Sequence, residues 1–150
     1  MVFLRNILIT TDLSESSLAA LEYAFTLGLL FGARLFLLHV AEHGQYRNEQ
    51  QAASLLEQFA ARNIDSRLKP ELVVRTGHAA EQIRDFARDR DMDVIVMATH
   101  GRTGIKHALM GSVAQKVVRL ATVPVLTVKP RAAREILLRF ADVENELHLR

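Results

Sequence analysis

The segment that decides the fold reads Asp93-Val-Ile-Val-Met-Ala-Thr-His-Gly-Arg-Thr-Gly-Ile-Lys-His-Ala-Leu-Met-Gly-Ser-Val-Ala-Gln-Lys-Val-Val-Arg-Leu120. Its apolar start, Asp93 to Ala98, predicts a buried strand. The polar, glycine-containing stretch that follows predicts a loop, and Gly111 or Ser112 opens a helix that ends near Leu120. A strand that leads through such a loop into a helix is typical of α/β domains.

The same alternation continues on both sides of this segment. Further apolar strands are predicted at Asn6 to Thr10, Arg34 to Val40, Glu71 to Arg75 and Val123 to Val128. Helical periodicity separates them, because each intervening segment repeats its apolar residues every three or four positions. Five strands joined by crossover helices predict an α/β fold with a parallel sheet covered by helices on both faces. Pro124 lacks an amide hydrogen, so the last strand is predicted at an edge of the sheet.

The chain is expected to form one domain, residues 1–130, followed by a C-terminal tail, residues 131–150. Within the tail, helical spacing relates Ile136, Phe140, Val143 and Leu147. This pattern predicts an amphipathic helical extension that packs on its own domain or on a partner.

Composition excludes several classes of function. The 150 residues are 49% hydrophobic and include no cysteine, which fits one buried core and excludes disulfides and thiolate chemistry. No long uninterrupted apolar run and no signal-like start occur, so we expect a cytoplasmic protein with no membrane contact. The net charge of +2 argues against nucleic acid as a partner. No acidic residue lies between Val94 and Arg134, which indicates either a surface facing a negative ligand or acidic partner, or a solvated basic surface.

The loop after Ala98 carries the chemistry. Glycines at 101, 104 and 111 allow close backbone approach or a positive φ, and Gly111-Ser112 at a helix start offers amides and a hydroxyl to an anion. Arg102 and Lys106 add positive charge. The loop therefore predicts a phosphate site, with turns and helix caps as the alternative role for its glycines. It has neither the P-loop pattern nor Gly-x-Gly-x-x-Gly.

The loop's spacing resembles a known nucleotide-binding pattern. Ala98-x-x-Gly101, nine residues, then Gly111-Ser112 is similar to the pattern of the universal stress protein family, which has glycine, two residues, glycine, nine residues and glycine with serine or threonine. Residues 7–15, 77–83 and 117–128 also resemble that family's opening strand, third strand-to-helix junction and closing helix and strand.

The resemblance implies a five-stranded sheet in the order 3-2-1-4-5, of the Rossmann-like, adenine nucleotide alpha hydrolase-like type. It implies a homodimer through the strand Val123 to Val128, and ATP or another adenine nucleotide as ligand, with any Mg or Mn ion carried by the nucleotide. Asp12 would meet the ribose, the backbone near Val40 the adenine, and Thr10 and Thr11 the floor of the site. The phosphates would meet Gly101, Arg102, Gly104, Gly111, Ser112 and Val113.

Two residues leave alternatives open. Ala98 stands where the family pattern has its first glycine, so its methyl group is expected to reduce the room for a ligand without abolishing binding. Asp12 is also a candidate helix cap, with Glu15 three residues on. The six histidines show no spacing typical of a metal site and are interpreted as surface or junction residues.

The leading functional hypothesis is a nucleotide-binding stress-response protein whose ligand state changes a surface recognised by an unknown protein partner. A slow ATPase or phosphotransferase is one alternative, although no catalytic residue is assigned. A nucleotide-free dimeric interaction module is the other.

Overall fold

The computed structural model describes residues 1–101 and 110–130. Arg102 and Gly104 of the loop, and the tail from residue 131 to 150, lie outside the described residues. Within them the strands are β1 (Asn6–Thr10), β2 (Arg34–Ala41), β3 (Glu71–Thr76), β4 (Val94–Ala98) and β5 (Val125–Val128). The helices are α1 (Leu18–Phe31), α2 (Glu49–Asn63), α3 (Ala79–Asp89) and α4 (Ser112–Leu120), with a 3₁₀ turn at Glu15–Ser17 before α1.

The five strands form one parallel sheet in the order β3-β2-β1-β4-β5. In the centre of the sheet, Ile9 of β1 lies between Leu37 of β2 and Val96 of β4. The predicted fold class and strand order are confirmed. β5 occupies an edge, as the proline next to it indicates.

Helices cover both faces of the sheet, because successive side chains of a strand point to opposite sides. Ile7 and Ile9 of β1 belong to a core shared with α1 and α2, whereas Leu8 belongs to a second core shared with α3 and α4. All three side chains are fully buried. The sheet therefore holds an apolar layer on each side, as a parallel sheet requires.

The starts of β5 and α1 differ from the sequence-based expectations. β5 begins at Val125, so Pro124 lies before the strand, and its carbonyl accepts a hydrogen bond from the Ile95 amide at 2.9 Å. α1 begins at Leu18, several residues later than a cap at Asp12 would place it. Within residues 1–101 and 110–130, no helix has the length and apolar character needed to span a bilayer.

Candidate functional site at the carboxyl edge of the sheet

A cavity of about 240 Å³ opens where β1, β2 and β4 end. Its position follows from the topology: the connection after β1 leads to one face of the sheet and the connection after β4 leads to the other, so the two diverge and leave a crevice. The cavity wall consists of Thr10, Thr11, Asp12, Ser17, Leu38, His39, Val40, Glu42, Gln45, Ala79, Ile83, Met97, Ala98, Thr99, His100, Gly101, Gly111, Val113 and Ala114.

Asp12 lies against the start of the glycine loop. One carboxylate oxygen accepts a hydrogen bond from the Ser14 amide at 3.0 Å and a second from the Ser14 hydroxyl. The other oxygen is so close to Gly101 that a Cβ built there would lie 2.5 Å from it. Asp12 therefore stabilises a local turn through Ser14, rather than a capping box with Glu15, and also faces the cavity.

The two glycines described in the loop lie in crowded positions. Neither Gly101 nor Gly111 is among the residues with positive φ. A Cβ at Gly111 would lie 3.2 Å from the Thr99 carbonyl, which already accepts a hydrogen bond from the Gly111 amide. Of the two roles expected from sequence, close approach is the one that the geometry shows.

The N-terminus of α4 points its first amides toward the same region. Gly111 is the N-cap residue, and because it has no side chain, nothing on that residue competes for the amide groups of the first turn. These amides and the helix dipole favour a negative group. Val113 contributes to the cavity wall, whereas the exposed Ser112 is not one of the wall residues.

His39 is the main residue that sequence reasoning missed. It is 1% exposed. One ring nitrogen, Nδ1, lies 2.9 Å from the Thr11 carbonyl, and Nε2 lies 2.9 Å from the Tyr46 hydroxyl. Since a carbonyl only accepts, Nδ1 must carry a proton and donate it, and in the tautomer protonated only at Nδ1 the Nε2 atom accepts from the Tyr46 hydroxyl. The expectation of a surface or junction histidine is wrong here; the signal was a polar residue inside an apolar strand next to the turn of Thr11 and Asp12.

The connection after β2 provides another unpredicted part of the wall. Gln45 and Glu42 hold it together: the Glu42 amide donates to the Gln45 side chain at 3.0 Å, and the Gln45 amide donates to the Glu42 carbonyl at 3.0 Å. Tyr46 ties the same connection to His39. The polar stretch was evident in the sequence, but its return over the cavity was not.

Most of the residues proposed from sequence come together at this cavity. Its wall includes Thr10, Thr11, Asp12, Val40, Ala98, Gly101, Gly111 and Val113. Arg102 and Gly104 belong to the part of the loop that is not described. In the parts of the chain that the structure describes, no three His, Asp or Glu side chains are grouped as a metal site would require.

A sequence model of the Universal stress protein family matches residues 4–129. The chain belongs to this family. The universal stress protein MJ0577 of Methanocaldococcus jannaschii is 29% identical over 85% of this chain and 96% of the relative. Universal stress protein YxiE of Bacillus subtilis is 28% identical over 83% of this chain and 99% of the relative. The resemblance recognised from the loop and its flanking segments is confirmed.

Solved structures share the fold of this universal stress protein. That of MJ0577 has a TM-score of 0.72 at 30% identity and covers 88% of this chain and 100% of its own. A universal stress protein in complex with cAMP has a TM-score of 0.68 at 22% identity over 87% of this chain and 100% of its own. One from Archaeoglobus fulgidus in complex with dAMP has a TM-score of 0.59 at 22% identity, over 86% of this chain and 100% of its own.

Proposed function

We propose that this protein binds an adenine nucleotide, ATP in the first instance, in the cavity at the carboxyl edge and acts as a regulatory stress-response protein. The observation that carries the proposal is the juxtaposition of Asp12, Gly101 and the N-terminus of α4 around one crevice. A carboxylate that accepts hydrogen bonds from sugar hydroxyls and a helix start that attracts phosphate are the two polar features a nucleotide needs.

The arrangement supports a particular orientation of the ligand. Phosphates would lie over Gly101 and Gly111, next to the first amides of α4 and to Ser112, with Arg102 and Gly104 supplied by the same loop. The ribose would lie near Asp12, above Thr10 and Thr11. Val40 and Ile83 provide an apolar part of the wall for a flat base.

The solved structures bound to cAMP and dAMP support an adenine base as the common element. Any Mg or Mn ion would arrive with the nucleotide and be bound by phosphate oxygens. Asp12, whose carboxylate contacts the start of the loop, is the wall residue that could add a protein oxygen ligand. This ion would neutralise phosphate charge.

Calorimetric titration of nucleotide-stripped protein with ATP and magnesium tests the proposal. The main variant is Gly111→Asp, because its side chain would enter the space beside the Thr99 carbonyl and place a negative charge at the helix start. Gln115→Asp adds the same charge one turn further along α4 at an exposed position and serves as the control. We expect binding in the wild type and in Gln115→Asp, and loss of binding in Gly111→Asp. Absence of heat with no displacement of labelled AMP would refute nucleotide binding, and equal affinity of all three proteins would place the site elsewhere.

A slow ATPase is the second candidate, because Asp12 adjoins the phosphate loop, where a carboxylate can orient water. Phosphate release from purified wild type and from Asp12→Asn distinguishes an ATPase from a protein that only binds ATP. Equal rates of phosphate release, with ATP binding retained, would exclude the ATPase and leave only the binding role.

The proposed homodimer uses the edge of β5, within Val123 to Val128. Three of the four β5 residues are only half-buried, as expected for an edge strand that has a neighbouring strand on one side only in the single chain. Sedimentation velocity with and without nucleotide tests this assembly and its dependence on the ligand, and a monomer at all concentrations would refute it.

A further inference from the structure

Helix α1 is predominantly apolar. Of its 14 residues only Glu22, Tyr23 and Thr26 are polar. A helix on the surface of a soluble domain normally carries polar side chains on the side away from the core, whereas one that is apolar all round is normally buried. The large apolar side chains of α1 therefore extend beyond the side of the helix that faces the sheet.

The outward side of α1 exposes large apolar and aromatic side chains. Tyr23 is 43% exposed, Leu30 54% and Phe31 44%. Together with half-buried Leu27 they occupy positions i, i+4, i+7 and i+8, which lie on one side of a helix. We call these four residues the outer face of α1.

The sheet next to this face is also incompletely covered. α2 lies over β2 and β3, while α1 lies over β1 and β4 and only reaches β5. Val128 and half-buried Leu126 of β5 contribute to the core on this side. Among the described elements no helix lies beyond α1 above β5, so a helix-sized position remains open beside the outer face.

The C-terminal tail begins close to this position. β5 ends at Val128, at the carboxyl edge of the sheet where α1 begins. A helix that follows β5 and returns along the sheet runs in the same direction as α1. Residues 129–135 connect Val128 to Ile136 and can span up to about 24 Å, which is ample for one helix diameter.

The apolar spacing of the tail matches that of α1. Ile136 and Val143 are separated by the same seven residues as Tyr23 and Leu30, about 10.5 Å along a helix. Two parallel helices can then bring both pairs into contact at once.

We propose that residues 131–150 dock on the outer face of α1 and on β5 of the same chain, with Ile136 against Tyr23 and Val143 against Leu30. Covalent attachment supplies an effective concentration in the millimolar range, so a small contact suffices. A second copy of the chain would need about 800 Å² of surface per partner for a stable contact, which the few exposed side chains of one helix do not provide.

The absence of cysteine makes the proposal directly testable by crosslinking. Tyr23→Cys with Ile136→Cys, and Leu30→Cys with Val143→Cys, are introduced in the full chain and treated with a short bis-maleimide. The control pair is Val118→Cys with Val143→Cys: Val118 is 47% exposed but lies on α4, on the opposite face of the sheet. All the α1 and α4 positions are exposed, and circular dichroism verifies that each variant is folded.

We expect both α1 pairs to give a monomer that migrates faster on a denaturing gel, and the control pair to give none. Covalent dimers from the α1 pairs without the fast monomer would show that a second copy covers α1 and would overturn the proposal. Absence of any crosslink, or equal crosslinking of the control pair, would overturn it as well.

A second measurement does not depend on crosslinking geometry. Removal of residues 131–150 should expose the outer face of α1 and increase the fluorescence of anilinonaphthalene sulfonate, and Leu30→Asp should abolish that increase. Equal fluorescence of the full and truncated chains would contradict docking on α1.

Discussion

The hydrogen bonds of His39 predict a measurable part of the protein's stability. His39→Leu keeps the side-chain volume close to that of histidine but removes both ring nitrogens. The Thr11 carbonyl then loses its bond to Nδ1 in a buried position, and the Tyr46 hydroxyl loses its bond to Nε2. Because Thr11 precedes Asp12, the same change loosens the turn that places the carboxylate beside Gly101.

The magnitude follows from burial. A buried carbonyl left without its donor costs about 1–3 kcal/mol, and the second bond contributes about 0.5–1.5 kcal/mol because the half-buried Tyr46 hydroxyl can turn to water. Burial of the more apolar leucine offsets part of this cost. We expect His39→Leu to lower the unfolding free energy by about 2–3 kcal/mol.

Urea unfolding followed by far-UV circular dichroism, at one fixed protein concentration, measures this loss. Tyr46→Phe is the matched control, since it removes only the second hydrogen bond and should cost about 1 kcal/mol. In the His39→Leu background, Tyr46→Phe should be close to neutral, because its partner is already gone. A loss below about 0.5 kcal/mol for His39→Leu, or an equal cost of Tyr46→Phe in both backgrounds, would refute the reasoning.

Three further predictions concern the loop and the helices beside it. Gly101→Ala should displace the Asp12 carboxylate, since the new Cβ would lie 2.5 Å from its oxygen. Calorimetry should then show ATP binding weakened by about tenfold, and an unchanged affinity would contradict this. Ala98→Gly removes the methyl group from the cavity wall and should tighten binding by a few-fold, whereas weaker binding would show that Ala98 contributes a needed contact. A backbone hydrogen bond at the start of α3, together with Lys116, whose ammonium lies 3.2 Å from the carboxylate, lowers the pKa of Glu81 from its ordinary value of 4.5. Folding thus favours the charged form of Glu81, and this stabilisation is present above pH 4.5 and lost as the pH falls through the lowered pKa. Between about pH 5 and pH 3, the melting temperature should therefore fall less for Glu81→Gln than for the wild type. An equal fall of the two melting temperatures would contradict this.

The strand pattern could be predicted from the sequence because buried parallel strands are short continuous apolar runs. β1 was predicted residue for residue, and β2 and β3 each extend one residue further, to Ala41 and Thr76. The start of α1 was placed too early, because Asp12 satisfies the Ser14 amide in a turn, and a 3₁₀ segment then precedes the helix. A residue type that favours both turns and caps does not reveal which of them it forms.

α1 shows a different limit of periodicity. The stripe of Leu18, Leu21 and Phe25 indicates a core-facing helix, and those residues are buried. The stripe does not show that other parts of the helix surface are apolar too, since a periodic pattern identifies only the side on which it lies. The composition of the whole helix does show it, because only three of its 14 residues are polar.

Topology explains which site residues could be predicted from the sequence. In the order 3-2-1-4-5 the connections after β1 and β4 leave toward opposite faces, so the crevice must lie between the ends of these two strands. Polar and glycine residues soon after either strand are thereby placed at the site, and Asp12 and Gly101 were predicted there from the family resemblance, which also supplied the strand order. Gln45 lies several residues beyond β2 and reaches the site only because its connection folds back, held by the hydrogen bonds between Tyr46 and His39 and between Gln45 and Glu42. A strand end fixes the position of its immediate neighbours, whereas a residue further along is positioned by contacts that only the folded chain provides.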